Sequence, residues 1–266
     1  MALRVCLAGA TGWAGAALAR GIARAGDLDL VAGVSRQHAG RRLGDIVGEP
    51  ALAAALSASA AEALEAGCDV FVEYTKPHVA KSNVLAALER GAHVVIGTSG
   101  LSDEDLEQIG AVALRHGRGV LAVGNFSLMV VVLQKCAELA ARYLPQYEIV
   151  DYASAGKKDA PSGTARELAY RLSRIRAPGI DVPLDQTQGP IESRGATLNG
   201  VQVHSIRLPG HVISVEALFG MLDQRLSLRY DAGSGAEAYV DGALLAIRRV
   251  GTFVGLRRGL DSVMEF

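Results

Sequence analysis

The sequence has little cysteine and no clustered histidine, and these shortages exclude two kinds of small scaffold. The 266 residues include 3 cysteines and 6 histidines. Cys6, Cys68 and Cys136 are odd in number, far apart and flanked by apolar residues, so a disulfide framework is excluded. We expect three reduced, buried thiols. No cysteine pair has metal-ligand spacing, so we expect no structural metal site.

Net charge and long apolar runs are also scarce. The formal net charge is -1, without a run of like charge, which argues against a nucleic-acid partner and against a charged tail. The N-terminal residues lack the apolar core of a signal peptide. The most apolar stretch, GVLAVGNFSLMVVVL, is interrupted by Asn125 and Ser127 and is too short to span a membrane. We therefore expect a cytoplasmic protein without a membrane partner.

Apolar runs alternate with helical patterns through the first half of the chain. Strands are predicted near residues 4–9, 28–35, 69–75, 93–98 and 120–126. Helices are predicted near 13–26, 79–91 and 102–117. This alternation indicates an α/β domain with a Rossmann-type parallel sheet and helices on both faces.

The pattern changes after residue 126. A helix at 129–143 precedes a strand near 147–154 and a second helix, and three strand-like runs follow from about residue 200. We predict an α+β domain with a mixed, open sheet over 127–234, and a dinucleotide-binding domain over 1–126. The latter is completed by 235–266, whose helix is predicted at 234–250. Residues 176–200 are predicted to form a mobile loop.

Three glycines follow the first predicted strand in the segment LAGATGWAG. Gly9, Gly12 and Gly15 permit a tight turn, close approach to a pyrophosphate, and its docking on the next helix. We predict a dinucleotide site, and the alternative is a structural Gly-rich turn. The backbone that would hold the cofactor is Gly9, Ala10, Thr11, Gly12, Trp13 and Ala14.

The end of the second strand bears on the choice of cofactor. An acidic residue there would bind the ribose 2′-hydroxyl of NAD, whereas arginine accommodates the 2′-phosphate of NADP. The sequence has Ser35 and Arg36 at this point, with Arg41 and Arg42 shortly after. NADPH is favoured, and ordinary surface charge is the alternative.

The segment KKDAPSGT, residues 157–164, places two lysines before the start of a helix. Unpaired N–H groups at a helix N-terminus favour an anion, and Lys157 adds a positive charge. The alternative is a capped helix without a ligand, in which Thr164 and Glu167 form a capping box.

With these motifs the chain resembles the dihydrodipicolinate reductase family along nearly its full length. The matching segments are GATGWAG, GTSG at 97–100, GNFS at 124–127 and, most specifically, KKDAPSGT. The resemblance implies a Rossmann domain, a substrate and tetramerisation domain, and NAD(P)H-dependent reduction of a small, cyclic, carboxylate-bearing substrate. NADH remains possible as the cofactor.

The resemblance also implies residue roles and a homotetramer built through the second domain's sheet. Lys157 would be the catalytic and substrate-binding lysine, with Ser162, Gly163 and Thr164 around the substrate carboxylate. Further cofactor contacts are implied for Gly97, Thr98, Ser99, Asn125 and Phe126. Lysine and diaminopimelate biosynthesis is the implied pathway.

One feature of the family is missing from the sequence. The family carries two adjacent histidines before the lysine, one of them the proton donor, and the matching positions here are Ala153 and Ser154. The proton source would then be Lys157, water or another side chain, with Tyr152, His204 and His211 as candidates. A different cyclic imino acid as substrate, or a non-catalytic NADP(H)-binding regulatory protein, are the other readings.

Overall fold

The computed structural model describes residues 2–266, which form two compact units. The first unit runs to Leu128 and resumes at Ala236–Phe266, and the second comprises Met129–Gly235. Each has its own sheet and its own buried apolar cluster.

The first unit contains a sheet of seven parallel strands. In chain order the strands are β1 (Leu3–Ala8), β2 (Leu28–Val34), β3 (Leu56–Ser57), β4 (Val70–Glu73), β5 (His93–Ile96), β6 (Gly119–Ala122) and β12 (Gly255–Arg258). Their order across the sheet is β12-β6-β5-β4-β1-β2-β3. All four residues of β4 are buried, as expected for a parallel strand covered on both faces. The prediction of a Rossmann-type parallel sheet is confirmed.

Helices connect these strands. They are α1 (Trp13–Arg24), α2 (Leu43–Val47), α3 (Ala60–Ala63), α4 (Pro77–Glu89), α5 (Asp103–Arg115) and α8 (Val240–Arg249). α5 begins with a complete capping box, in which the Ser102 hydroxyl accepts from the Asp105 N–H and the Asp105 carboxylate accepts from the Ser102 N–H. The capping box therefore pairs the N–H groups of Ser102 and Asp105 and fixes the start of α5.

The C-terminal segment returns to the first sheet. Helix α8 begins at Val240 and not at residue 234, because a 3₁₀ turn over Ala236–Tyr239 precedes it. β12 then adds an edge strand beside β6 that sequence reasoning missed, since GLRR is short and half charged. A side chain at Gly242 would lie 1.9 Å from the Phe126 carbonyl oxygen, so glycine allows α8 to approach that backbone closely.

The second unit is a five-stranded mixed sheet with two long helices. Its elements in chain order are α6 (Leu128–Tyr143), β7 (Gln146–Ala153), α7 (Gly163–Ile175), β8 (Ala196–Leu198), β9 (Val201–Arg207), β10 (Ile213–Met221) and β11 (Gln224–Ala232). The strand order is β11-β10-β7-β9-β8, in which β7 and β9 are parallel and the other pairs antiparallel. The predicted mixed sheet is confirmed, and β8 is an additional strand within residues 176–200.

Burial alternates along the central strand β7. Tyr147 and Ile149 face the buried cluster, together with apolar residues of α6 and α7, and Ala153 is buried in the same row, while Glu148 and Tyr152 are only partly buried. The remaining member of the buried row is Asp151, which is completely inaccessible. An acidic residue in a core row needs hydrogen-bond partners, and they come from the candidate site.

All three thiols are free, but only Cys6 is buried; Cys68 is half-buried and Cys136 is exposed, so the expectation of three buried thiols was wrong. Cys136 lies on the solvent-exposed side of α6, which the apolar residues around it in the sequence did not indicate. Within residues 2–266, no helix has both the length and the apolar character to cross a membrane.

Candidate active site

The glycine loop lies where the order of the parallel strands reverses. From β1 the chain proceeds to β2 and β3 on one side, and β4 then pairs with the other side of β1. Ligands of open α/β sheets bind at such a point, outside the carboxyl ends of the strands. Gly9 follows β1 with φ +78°, and a side chain there would lie 2.3 Å from the Tyr74 carbonyl oxygen, just beyond β4. Only glycine fits this position without displacing the backbone.

Gly15 fits the same loop against α1. A side chain at Gly15 would lie 2.1 Å from the Gly9 carbonyl oxygen. Helix α1 starts after Gly12, which has no side-chain capping bond, so the first N–H groups of this helix are left for a ligand. The Thr11 hydroxyl lies 2.8 Å from the Ser35 hydroxyl and joins the loop to the end of β2. The loop therefore has the open backbone that a pyrophosphate requires.

The arginines after β2 differ in their surroundings. Arg36 and Arg41 are exposed, and neither makes an ion pair or side-chain hydrogen bond with another residue of the range 2–266. Arg42 instead donates to the carbonyl groups of Leu52 and Pro50. Arg42 thus stabilises its own loop. Arg36, which directly follows Ser35, is available to an anion.

The ends of β4, β5 and β6 contribute an aromatic pair around Gly97. The rings of Tyr74 and Phe126 are 5.6 Å apart, and a side chain at Gly97 would lie 2.2 Å from the Tyr74 ring and 2.8 Å from the Phe126 ring. Burial raises the pKa of Tyr74 above its usual range. Ser99 is exposed beyond this turn, and Asn125 accepts a hydrogen bond from the Ser127 N–H at 2.9 Å.

In the second unit, the start of α7 presents free N–H groups. The helix begins at Gly163, and Ser162 is its N-cap, accepting at 3.3 Å from the Ala165 N–H. The predicted capping box of Thr164 and Glu167 is wrong, because both residues lie inside the helix and Ser162 performs the capping. In the described part of the chain, the N–H groups of Gly163 and Thr164 have no acceptor. This N-terminus can therefore bind an anion.

Lys157 lies in the turn that leads to this helix. Its N–H donates to the Ser154 carbonyl at 3.0 Å, and its Nζ lies 2.8 Å from Asp159 Oδ1. The Lys157 ammonium lowers the pKa of Asp159 through this hydrogen bond. Lys158 is exposed. An incoming carboxylate would have to compete with Asp159 for the ammonium.

A buried ion pair between Asp151 and Arg207 holds the same turn, and sequence reasoning missed it. Asp151 Oδ2 accepts from the Ser162 N–H at 2.8 Å and from Arg207 Nη2 at 2.7 Å. Arg207 also donates to the Asp159 carbonyl at 2.8 Å. These bonds fix the backbone on both sides of the Ala160-Pro161 step. The only available signal was an acidic residue in the buried row of β7.

Two of the candidate proton donors, Tyr152 and His204, are bound to carboxylates, and a third candidate, His211, lies beside Tyr152. Tyr152 and Glu148 belong to the row of β7 opposite Asp151. The Tyr152 hydroxyl donates to Glu216 at 2.9 Å, and burial, followed by Glu216, raises its pKa. His204 pairs with Glu148 at 2.7 Å, and the His211 ring lies 5.3 Å from that of Tyr152. Ala153 is buried and Ser154 is exposed.

The fold and the glycine loop define a class of protein, one with a Rossmann-type nucleotide-binding unit. Comparison with known proteins identifies the family. Residues 3–126 match the family model "Dihydrodipicolinate reductase, N-terminus", and residues 129–263 match "Dihydrodipicolinate reductase, C-terminus". The chain belongs to the dihydrodipicolinate reductase family, whose members use NAD(P)H, and the predicted resemblance is confirmed.

Individual relatives agree over the whole length. The chain is 35% identical to 4-hydroxy-tetrahydrodipicolinate reductase of Moorella thermoacetica, covering 99% of this chain and 98% of the relative. It is 32% identical to the enzyme of that name from Bacillus mycoides, covering 99% of each. A solved structure, dipicolinate-bound dihydrodipicolinate reductase from Paenisporosarcina sp. TG-14, superposes with a TM-score of 0.88 at 28% identity, covering 99% of this chain and 100% of that one.

Proposed function

We propose that this protein is a 4-hydroxy-tetrahydrodipicolinate reductase that prefers NADPH. The observation that carries the proposal is the start of α7, where the N–H groups of Gly163 and Thr164 are free. Lys157 belongs to the same segment, which Asp151 and Arg207 hold by hydrogen bonds. A helix N-terminus and an ammonium group together bind a carboxylate well. The full-length relatives bearing that name supply the identity of the carboxylate.

The cofactor is assigned to the carboxyl edge of the seven-stranded sheet. The loop from Gly9 to Ala14 would hold the pyrophosphate, and Ser35 with Arg36 the 2′-phosphate of the adenosine half. Gly97, Thr98, Ser99, Asn125 and Phe126 would surround the nicotinamide half. The glycine contacts fit this role, because a side chain at either Gly9 or Gly15 would collide with neighbouring backbone and distort the loop that would hold the phosphates. When bound, NADPH supplies the hydride.

The substrate is assigned to the second unit. Lys157 would bind one carboxylate as a point charge, and Ser162, Gly163 and Thr164 would surround the same group through the backbone. Asp151 and Arg207 would hold this segment in the required shape, since the residues of a preorganised site gain rate by positioning. The first unit would thus be the dinucleotide-binding domain, and the second the substrate-binding and tetramerisation domain.

The proton that accompanies the hydride needs a source. Ala153 and Ser154 have no group that titrates near neutral pH, and Tyr152 and His204 are engaged by carboxylates. We assign the proton to Lys157, to His211 or to water. Ala153 and Ser154 also favour a second candidate function, the reduction of a different cyclic imino acid that needs no histidine.

The assembly and the location are part of the proposal. The row of the second sheet opposite its buried cluster includes Leu218, which is 36% exposed, and this face would join four copies of the chain. Light scattering of the purified protein measures the assembly, and a monomer at micromolar concentration would contradict it. The three free thiols suit the reducing cytoplasm.

The proposed function is tested by following NADPH absorbance while dihydrodipicolinate synthase generates the substrate in situ. We expect steady turnover by the wild type and a loss of at least roughly tenfold in kcat/KM for Lys157→Ala. Lys158→Ala is the matched control, because it removes the neighbouring, exposed lysine, and we expect little change. Dipicolinate, which the Paenisporosarcina structure contains, should inhibit the wild type.

Two results would contradict the proposal. Equal losses in the two lysine variants would mean that Lys157 acts only through general surface charge. Tight NADPH binding without turnover would exclude this substrate and would favour the second candidate function. Other cyclic imino acids would then be tried in the same assay.

A further inference from the structure

Glu73 is a buried carboxylate without a cation. It is the last residue of β4 and is completely inaccessible. Its Oε1 accepts from the Thr75 N–H at 2.7 Å, from the Thr75 hydroxyl, and from the Thr98 hydroxyl at 3.3 Å. Its Oε2 accepts from Asn83 Nδ2 at 2.8 Å. Among residues 2–266, Glu73 makes no ion pair, so neutral donors alone compensate its burial.

These bonds join three elements at the edge of the sheet where the cofactor is assigned. Asn83 belongs to α4, Thr75 precedes that helix, and Thr98 follows β5. The backbone of Glu73 takes part as well, since its carbonyl accepts from the Gly97 and Thr98 N–H groups at 3.0 and 3.2 Å. The turn after β5 is therefore attached to the end of β4 through both the main chain and the side chain of one residue.

The same turn carries the aromatic pair. A side chain at Gly97 would overlap the rings of Tyr74 and Phe126, so a small movement of the turn changes the space beside these rings. A carboxylate is the side chain that suits this set of neighbours, because both of its oxygens accept hydrogen bonds. An amide in its place would turn an NH₂ group toward either Thr75 or Asn83, and both of these donate.

We propose that Glu73 is a positioning residue that fixes the turn at residues 97–99 for the nicotinamide half of the dinucleotide. The inference rests on the proposed function, since it needs NADPH at this edge of the sheet. It predicts that Glu73 affects the binding of the nicotinamide half and not that of the adenosine half. The reason is that Ser35 and Arg36 lie on the other side of β1, at the end of β2.

The test compares two nucleotides by calorimetric titration of the wild type and Glu73→Gln. NADPH probes the whole site, whereas adenosine 2′,5′-bisphosphate lacks the nicotinamide. We expect NADPH to bind roughly tenfold more weakly to Glu73→Gln, with the affinity for the bisphosphate unchanged. Glu89→Gln, the same change on an exposed residue of α4, should leave both affinities unchanged. Asn83→Ala, which removes the donor to Glu73 Oε2 from outside the assigned cofactor site, should reproduce the selective loss if Glu73→Gln is too unstable to purify.

The outcomes are distinct. Equal weakening of both nucleotides by Glu73→Gln, or no change in either, would overturn the role of Glu73 in the nicotinamide half. Wild-type protein that binds neither nucleotide would overturn the proposed function itself. A selective loss for NADPH is the only result that supports the inference.

Discussion

Replacing Gly15 with alanine should weaken NADPH binding through the geometry of the glycine loop. The new Cβ would lie 2.1 Å from the Gly9 carbonyl oxygen, where ordinary contact begins at 3.4 Å, so helix and loop must separate by about 1.3 Å. The obstructing atom belongs to the backbone and cannot rotate away. Overpacking of this kind costs about 1–3 kcal/mol, which corresponds to roughly a 5- to 150-fold change in an equilibrium constant.

We therefore expect the Kd for NADPH to rise roughly 10- to 100-fold in Gly15→Ala. Calorimetric titration measures the affinity, and urea unfolding measures the change in the free energy of unfolding. The matched control is Gly119→Ala, whose Cβ would lie 2.0 Å from the Val250 carbonyl oxygen, at the opposite end of the strands. It should lose about 1–3 kcal/mol of stability. Its Kd for NADPH should stay within about twofold of the wild type, because distant sites act independently.

Either of two results would refute this reasoning. Wild-type NADPH affinity in Gly15→Ala would mean that the loop does not hold the pyrophosphate. Equal loss of affinity in both variants would mean that instability, and not the shape of the loop, controls binding.

Three further predictions concern charged groups. Arg36→Ala should raise the Kd for NADPH roughly tenfold and leave that for NADH unchanged, because only NADPH has a 2′-phosphate, and titration with both cofactors measures it. Asp159→Asn should strengthen dipicolinate binding roughly two- to fivefold, measured by calorimetry, because it frees the Lys157 ammonium from an exposed ion pair. The pKa of Asp105 is lowered to about 2, first by the hydrogen bond from Lys81, so its contribution to stability is complete above its usual value of 3.8 and is lost as the pH falls toward 2. Asp105→Asn should therefore show a weaker decline in the free energy of unfolding over that range in acid titrations.

Each of these predictions has an internal comparison. Arg42→Ala should not discriminate between the cofactors, since the Arg42 guanidinium is held by loop carbonyl groups. Unchanged or weaker dipicolinate binding in Asp159→Asn would mean that Asp159 does not compete for the ammonium. An acid transition identical in wild type and Asp105→Asn would contradict the pKa argument.

Local signals in the sequence were sufficient for several features. Gly9 follows a short buried strand and precedes an Ala-rich helix, so a tight turn at a helix N-terminus could be inferred without the structure. The helix start that follows Lys157 could be inferred for the same reason, because a helical pattern directly after the SGT segment is a local signal. The mixed second sheet followed from three successive strand-like runs without helices between them.

Errors arose where neighbours in space decide between local alternatives. Thr164 and Glu167 have the spacing of a capping box, but Asp151 holds the Ser162 N–H and the helix starts one residue after Ser162. β12 was missed because its four residues form a strand only by pairing with β6, which is more than 100 residues earlier in the chain. A short strand at a sheet edge has almost no signal of its own.

The sequence by itself determined the strand and helix pattern, the glycine turn and the residue types that can hold a dinucleotide and a carboxylate. These are properties of contiguous segments, and backbone preferences and side-chain periodicity express them locally. Only the tertiary structure decided which buried acids have which partners. Arg207 reaches Asp151 across 56 residues, and Glu73 takes its donors from two further elements. Periodicity indicates that a side chain is buried, but the order of the strands determines what lies against it.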